Sequence, residues 1–290
     1  MKILVTGARG MLGKDLMVAL PACGDVTGVD IDDFDITDRV AAHEVIGGLR
    51  PDLVVHAAAF ARVDACETEH ETAFRVNRDG AENVALACGT IGARMIYFSS
   101  DYIFDGTATV PYRETDPANP LSVYGKSKYE GEQRVVSVLP DRHLIIRTAW
   151  LFGVNGPNFI DTIIRLARKQ PELRIVRDQT GSPTSSTDLA RATCELILRD
   201  VSGIVNVTNS GVATWYDLAV YALDRQRIDI PVHPIPTAEF PRPAPRPAYS
   251  VLSPVLRDGI LGKPMPPWKD AVDRFLDAKQ RIHPGKESIE

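Results

Sequence analysis

Lys2-Ile3-Leu4-Val5-Thr6-Gly7-Ala8-Arg9-Gly10-Met11-Leu12-Gly13 is the stretch whose reading decides the fold. Lys2–Val5 reads as a short, buried type of strand. Glycines then recur as G-x-x-G-x-x-G at Gly7, Gly10 and Gly13. Leu12, Leu16 and Leu20 follow at helical spacing, so Met11–Leu20 reads as a helix. Strand, glycine turn and helix in that order suit a dinucleotide. Gly7 allows the tight turn, Gly10 lets the backbone approach a pyrophosphate, and Gly13 lets the helix pack closely on the strand. The helix N-terminus adds free N–H groups and partial positive charge.

The same rhythm continues outward. Strand patterns lie at Asp25–Asp30, Leu53–Ala58, Arg94–Ser99 and His143–Thr148, with helical patterns at Val40–Leu49, Glu69–Cys88 and Tyr124–Val138. Gly89 is read as the stop of the long Glu69–Cys88 helix. Alternating strands and helices predict an α/β fold, a doubly wound, Rossmann-like parallel sheet. After Trp150 the pattern changes, with helices at Asn158–Lys169, Ser186–Leu198, Thr214–Leu223 and Trp268–Lys279 and a charged tail expected to fray. Residues 1–150 are therefore read as the cofactor-binding domain and 151–290 as mainly a smaller substrate-binding region. Gly203–Thr208 is a strand that is a candidate to return to the main sheet. Seven prolines between Pro231 and Pro247 predict an extended connection, either a plain linker or a segment along a cleft.

Composition narrows the function classes. At about 150 residues per domain, 290 residues make one large domain or two modest ones. A net charge of −5 argues against a general nucleic-acid binder. No apolar run is long enough for a membrane span, and the apolar start is too short for a signal peptide. Cys23, Cys66, Cys88 and Cys194 are scattered, so they read as reduced thiols in a cytoplasmic protein. The histidines show no metal-binding spacing, and no metal is expected.

Asp30 closes the second strand, where a carboxylate accepts from adenosine ribose hydroxyls and favours NADH. Arg9, inside the glycine turn, suits a 2′-phosphate and favours NADPH. Both cofactors stay open. Tyr124-Gly125-Lys126-Ser127-Lys128 places Tyr124 and Lys128 one turn apart on a helix face. An ammonium there would lower the phenol's pKa and make it a better acid–base group. Ser99 and Ser100 end the Arg94–Ser99 strand run, at the sheet edge where ligands bind, and a hydroxyl there can hold a substrate carbonyl.

Together these residues resemble the extended short-chain dehydrogenase/reductase superfamily. Within it, Ser100-Asp101-Tyr102-Ile103-Phe104-Asp105-Gly106, Pro111-Tyr112-Arg113-Glu114, Pro117–Leu121, Arg147-Thr148-Ala149-Trp150, Asp178–Thr184 and Arg246–Leu252 resemble the dTDP-4-dehydrorhamnose reductase family. The resemblance implies NADPH- or NADH-dependent reduction of a dTDP-linked 4-keto-6-deoxyhexose. It implies Ser100, rather than Ser99, as the catalytic hydroxyl beside Tyr124 and Lys128. Gly10, Met11 and Leu12 would line the cofactor phosphates, Asp35 and Ile36 the adenine, and Ala58, Ala59 and Phe60 the length of the cofactor. Ser100, Asp101, Tyr102 and Trp150 would meet the sugar. The family commonly has Thr at the Ser100 position. Some relatives hold a metal at a dimer contact with glutamates; Asp15 stands at one such place, and Thr187–Arg191 offers no second glutamate. A homodimer is left open.

The substrate diphosphate needs cations. Arg165, Arg168, Lys169, Arg174 and Arg177 are candidates, and Arg246 is a better one because a guanidinium suits bidentate anion contacts. Two rivals share the fold: a non-catalytic regulatory subunit resembling the methionine adenosyltransferase beta subunit, and a sugar-nucleotide epimerase or dehydratase.

Overall fold

The computed structural model describes residues 1–282. The chain begins β1 (Lys2–Thr6), α1 (Met11–Ala19), β2 (Asp25–Val29), α2 (Arg39–Leu49), β3 (Leu53–His56), α3 (Val63–Cys66) and α4 (His70–Phe74). It continues with α5 (Ala81–Ile91), β4 (Arg94–Ser100), α6 (Val123–Val138), β5 (His143–Thr148), β6 (Leu151–Phe152), α7 (Phe159–Ala167) and β7 (Leu173–Val176). It closes with β8 (Thr180–Gly181), β9 (Thr184–Ser185), α8 (Ser186–Leu198), β10 (Gly203–Asn206), β11 (Ala213–Thr214), α9 (Trp215–Arg225), β12 (Val232–Ile235), α10 (Val255–Leu261) and α11 (Trp268–Ile282).

Six strands form one parallel sheet in the order β2-β1-β3-β4-β5-β10. Every residue of β3 and β5 is buried, as a sheet covered on both faces requires. Leu12, Leu16 and Leu20 of the α1 segment meet Leu189 and Leu196 of α8 on one face. Ala42, Ile46, Val84, Ala85 and Val135 fill the other. Each fully buried leucine or isoleucine contributes about 2 kcal/mol. The strand order reverses at β1, with β2 on one side and β3 onward on the other. That switch opens a crevice at the carboxyl ends of β1 and β3, where an α/β sheet binds ligands.

Three expectations are revised. The Glu69–Cys88 helix is not uniform: α4 passes through a π-helical turn, Arg75–Gly80, into α5, and ends at Gly92 with φ 78° rather than at Gly89. Buried Asn77 sits inside that turn and bonds away from its own helix. The proline-rich segment is not wholly irregular, because β12 pairs in parallel with β7 and carries Pro234, which a two-stranded edge tolerates. Cys23 and Cys194 form a disulfide, while Cys66 and Cys88 are free and buried. A separation of 171 residues leaves no spacing signal for that pair, and the packing of α1 against α8 brings them together. The Gly203–Thr208 strand returns to the main sheet, as its pattern suggests: β10 pairs with β5, so the sheet draws a strand from beyond Trp150. The charged tail after Ile282 lies outside the described residues. Among the described residues, no helix is long and apolar enough to cross a membrane.

Candidate active site

The glycine turn fits a group pressed against backbone. Gly7 adopts φ 71°, a region that favours glycine. A Cβ on Gly13 would collide with the Gly7 carbonyl and the Ala8 backbone, so α1 starts as close to β1 as a chain can lie. Gly10 caps α1 without a side chain. The crevice beside this turn is a cavity of about 320 Å³ lined by Gly7, Gly10, Asp30, Asp35, Ile36, Ala58 and Ala59 among others. Leu12 turns its side chain into the core, and Met11 lies against Gly153 and Gly156. Only the backbone of that pair is left to face a phosphate. Phe60 does not line the cavity.

Asp30 is fixed at the crevice rim. Its Oδ2 accepts from the Arg9 N–H at 2.8 Å and its Oδ1 from the Ile31 N–H at 2.9 Å. The Arg9 guanidinium turns away to Asp32, at 2.9 Å, and Asp33, at 3.6 Å.

The chemistry-bearing residues meet at the carboxyl end of β4. Ser122 caps α6 by accepting from the Gly125 N–H at 3.1 Å, which puts Tyr124 in the first turn. Ser100 ends β4 and stands beside the Tyr124 phenol. Its hydroxyl also donates to Asp101 Oδ1 at 3.0 Å. Ser99, one residue back, has no hydrogen-bond partner among the described residues. Loss of solvent pushes the Tyr124 phenol well above its ordinary range; the neighbouring Ser100 hydroxyl opposes that, and the charge of Asp101 adds to it.

Lys128 sits against the ring of Tyr97. It is 3% exposed, its Nζ lies 4.0 Å from the Tyr97 ring centroid, and burial pushes its pKa down to about 7 against the pull of Glu132. One helical turn aligns two side chains, but the apolar floor of Tyr97 draws the ammonium inward.

Asp101 is 1% exposed, and its Oδ2 has no partner among the described residues. Burial raises its carboxyl to about 7, although the neighbouring Ser250 and Ser100 hydroxyls lower it.

A second cavity, of about 1010 Å³, is lined by Tyr102, Phe159, Trp215, Arg174, Arg242 and Arg246 among others. The ring of Tyr102 meets Tyr124 edge-on at 5.9 Å, which connects this cavity to the acid–base group. Trp150, held at φ 46°, stacks under Trp215 at 3.6 Å. It supports the wall and is not among the lining residues. Arg246 lies near Tyr102 and reaches Asp64 at 3.0 Å, and Arg242 also grips Asp64. Burial alone would raise the Asp64 carboxyl, but Arg242 and Arg246 hold it below the usual range. Arg165, Arg168, Lys169 and Arg177 are exposed and lie outside the cavity lining, whereas Arg174 and Arg246 line it.

Sequence reasoning missed three residues. Asn77 bonds both backbone groups of Phe60, at 2.8 and 3.1 Å, and donates to Ser127 Oγ at 3.0 Å. It ties the crevice wall to the helix of Tyr124. A polar Asn with Gly80 inside a long apolar helix pattern is the signal that could have flagged it. Asp64 and Arg242 are paired across 178 residues, and nothing local announces them.

A dinucleotide crevice, a serine–tyrosine–lysine set and an arginine-rimmed cavity on one parallel sheet define an NAD(P)H-dependent oxidoreductase of the extended short-chain type. Residues 1–281 match the family described as RmlD substrate binding domain. A dTDP-4-dehydrorhamnose reductase of Streptomyces griseus is 39% identical, over 95% of this chain and 93% of its own. The crystal structure of a Clostridium acetobutylicum dTDP-4-dehydrorhamnose reductase superposes with a TM-score of 0.93 at 40% identity, covering 97% of this chain and all, 100%, of that one. A Bacillus anthracis dTDP-4-dehydrorhamnose reductase, solved in complex with NADP, gives 0.91 at 36% identity, with 96% and 99% covered. The chain belongs to this family, the dTDP-4-dehydrorhamnose reductases.

Proposed function

We propose that the chain reduces the 4-keto group of dTDP-4-dehydro-L-rhamnose to give dTDP-L-rhamnose, with NADH or NADPH as reductant. The observation that carries the reading is the placing of Ser100 at the end of β4 beside Tyr124 of α6, with the Tyr102 ring edge-on to Tyr124 on the cavity side. The relatives named above favour it over a regulatory subunit, an epimerase or a dehydratase.

The glycine cradle fits a dinucleotide. Gly7, Gly10, Gly13 and the backbone of Met11 and Leu12 would hold the pyrophosphate, and Asp30 the adenosine ribose. Asp35, Ile36, Ala58 and Ala59 would flank the adenine side, and Lys128 the nicotinamide ribose. A reduced nicotinamide bound there supplies a hydride to C4. Tyr124 then gives its phenolic proton to the C4 oxygen as general acid. Ser100 donates a hydrogen bond to the same oxygen as negative charge develops on it. Lys128 acts by position, holding ribose and Tyr124 in register. Asp101, Tyr102 and Arg246 face the sugar and diphosphate, and Trp150 acts through Trp215. On this reading 1–150 serves the cofactor and 151–290 mainly the substrate, in a cytoplasmic enzyme with no nucleic-acid or membrane partner.

Purified Tyr124→Phe is the test. It is expected to lose nearly all turnover and to bind cofactor with unchanged affinity. Near-normal turnover would remove Tyr124 from the role.

A further inference from the structure

Asp30, Asp32 and Asp33 crowd the adenosine end of the crevice, and one cation, Arg9, stands among them. Arg9 is the group that could receive a 2′-phosphate. Its guanidinium is already paired with Asp32 at 2.9 Å and Asp33 at 3.6 Å. Asp30 cannot swing aside, because both of its oxygens accept backbone N–H groups, from Arg9 at 2.8 Å and Ile31 at 2.9 Å. Asp33 in turn accepts from the Asp30 N–H at 2.7 Å, which locks the acidic turn to the strand end. Among the described residues lining this cavity there is no lysine or arginine.

We infer that this enzyme discriminates between its two nicotinamide cofactors in favour of NADH, through the fixed Asp30 carboxylate and the capture of Arg9 by Asp32 and Asp33. Asp30 accepts hydrogen bonds from the free 2′- and 3′-hydroxyls of the adenosine ribose. A 2′-phosphate at that place carries no donor for Asp30 and meets three carboxylates against one guanidinium. Even a rotated Arg9 leaves the surroundings anionic. These charges are exposed, so the repulsion is screened by salt. The Bacillus anthracis relative was solved in complex with NADP, so the inference concerns this chain's own residues.

The inference rests on the crevice being the cofactor site, and direct binding separates the two ideas. Dissociation constants for NADH and NADPH are measured by nicotinamide fluorescence on the full chain, without sugar substrate. NADH is expected to bind at least about tenfold more tightly at low salt. The ratio narrows in roughly 1 M salt, where the screening length falls to about 3 Å. Asp32→Lys, at a side chain 76% exposed, releases Arg9 and is expected to tighten NADPH by about tenfold while NADH changes little. Equal or tighter binding of NADPH by the unmodified protein, or a ratio unmoved by Asp32→Lys, overturns the inference and leaves the cofactor site standing. Binding of neither nucleotide overturns the site assignment and the inference together.

Discussion

Asp101 lies one residue past Ser100, almost fully buried, with its carboxyl raised to about 7. In the unfolded chain the same group titrates near its ordinary value of about 3.9. Between those values the folded form holds a proton that the unfolded form has lost. Stability therefore falls as pH rises from about 4 to about 7, and the full cost remains above that. Asp101→Asn removes the cost, so the variant is expected to gain on the order of 2–4 kcal/mol over the parent at pH 8 and little at pH 4. Paired thermal melts across that range measure it. Lys128 has the opposite sign. Burial lowers its pKa to about 7, so its cost is full below pH 7 and fades toward pH 10.5. Lys128→Met is expected to raise stability by about 1–3 kcal/mol at pH 6 and to weaken cofactor binding. Melts and fluorescence titration check the two halves. Both residue identities were legible in the sequence, from motif spacing and resemblance. Their charge states were not, because those depend on Tyr97, Glu132 and Ser250, which the fold brings in from elsewhere.

The element that carries Tyr124 is anchored by a buried ion pair. Arg147 of β5 meets Glu132 of α6 at 3.0 and 2.8 Å, and both side chains are under 5% exposed. Arg147→Ala leaves Glu132 buried without its partner, and a loss of about 3–5 kcal/mol is expected in denaturant unfolding. Strands and most helices could be read directly, since apolar runs and leucine spacing reflect local burial. The π turn at Arg75–Gly80 could not, because its shape follows from Asn77 reaching Phe60 and Ser127. Likewise, proline density excludes a central strand for 231–247 but says nothing of β12 pairing at an edge.

At the scale of the molecule, strand order and long-range clasps decide the site. The glycine turn between β1 and α1 could be read from local pattern, so the crevice could be placed from sequence. The return of β10 is suggested by its strand pattern, but the Asp64 clasp and the Cys23–Cys194 bond join segments far apart in the chain, and no local pattern encodes them. The disulfide has a direct check. Unfolded, non-reduced protein is expected to show two titratable thiols, Cys66 and Cys88, and four after reduction.

The central claim is tested most directly by supplying dTDP-4-dehydro-L-rhamnose to the purified chain with NADH, and separately with NADPH. Loss of reduced nicotinamide matched by formation of dTDP-L-rhamnose is the expected result. Folded protein that binds cofactor but oxidises neither would contradict the account.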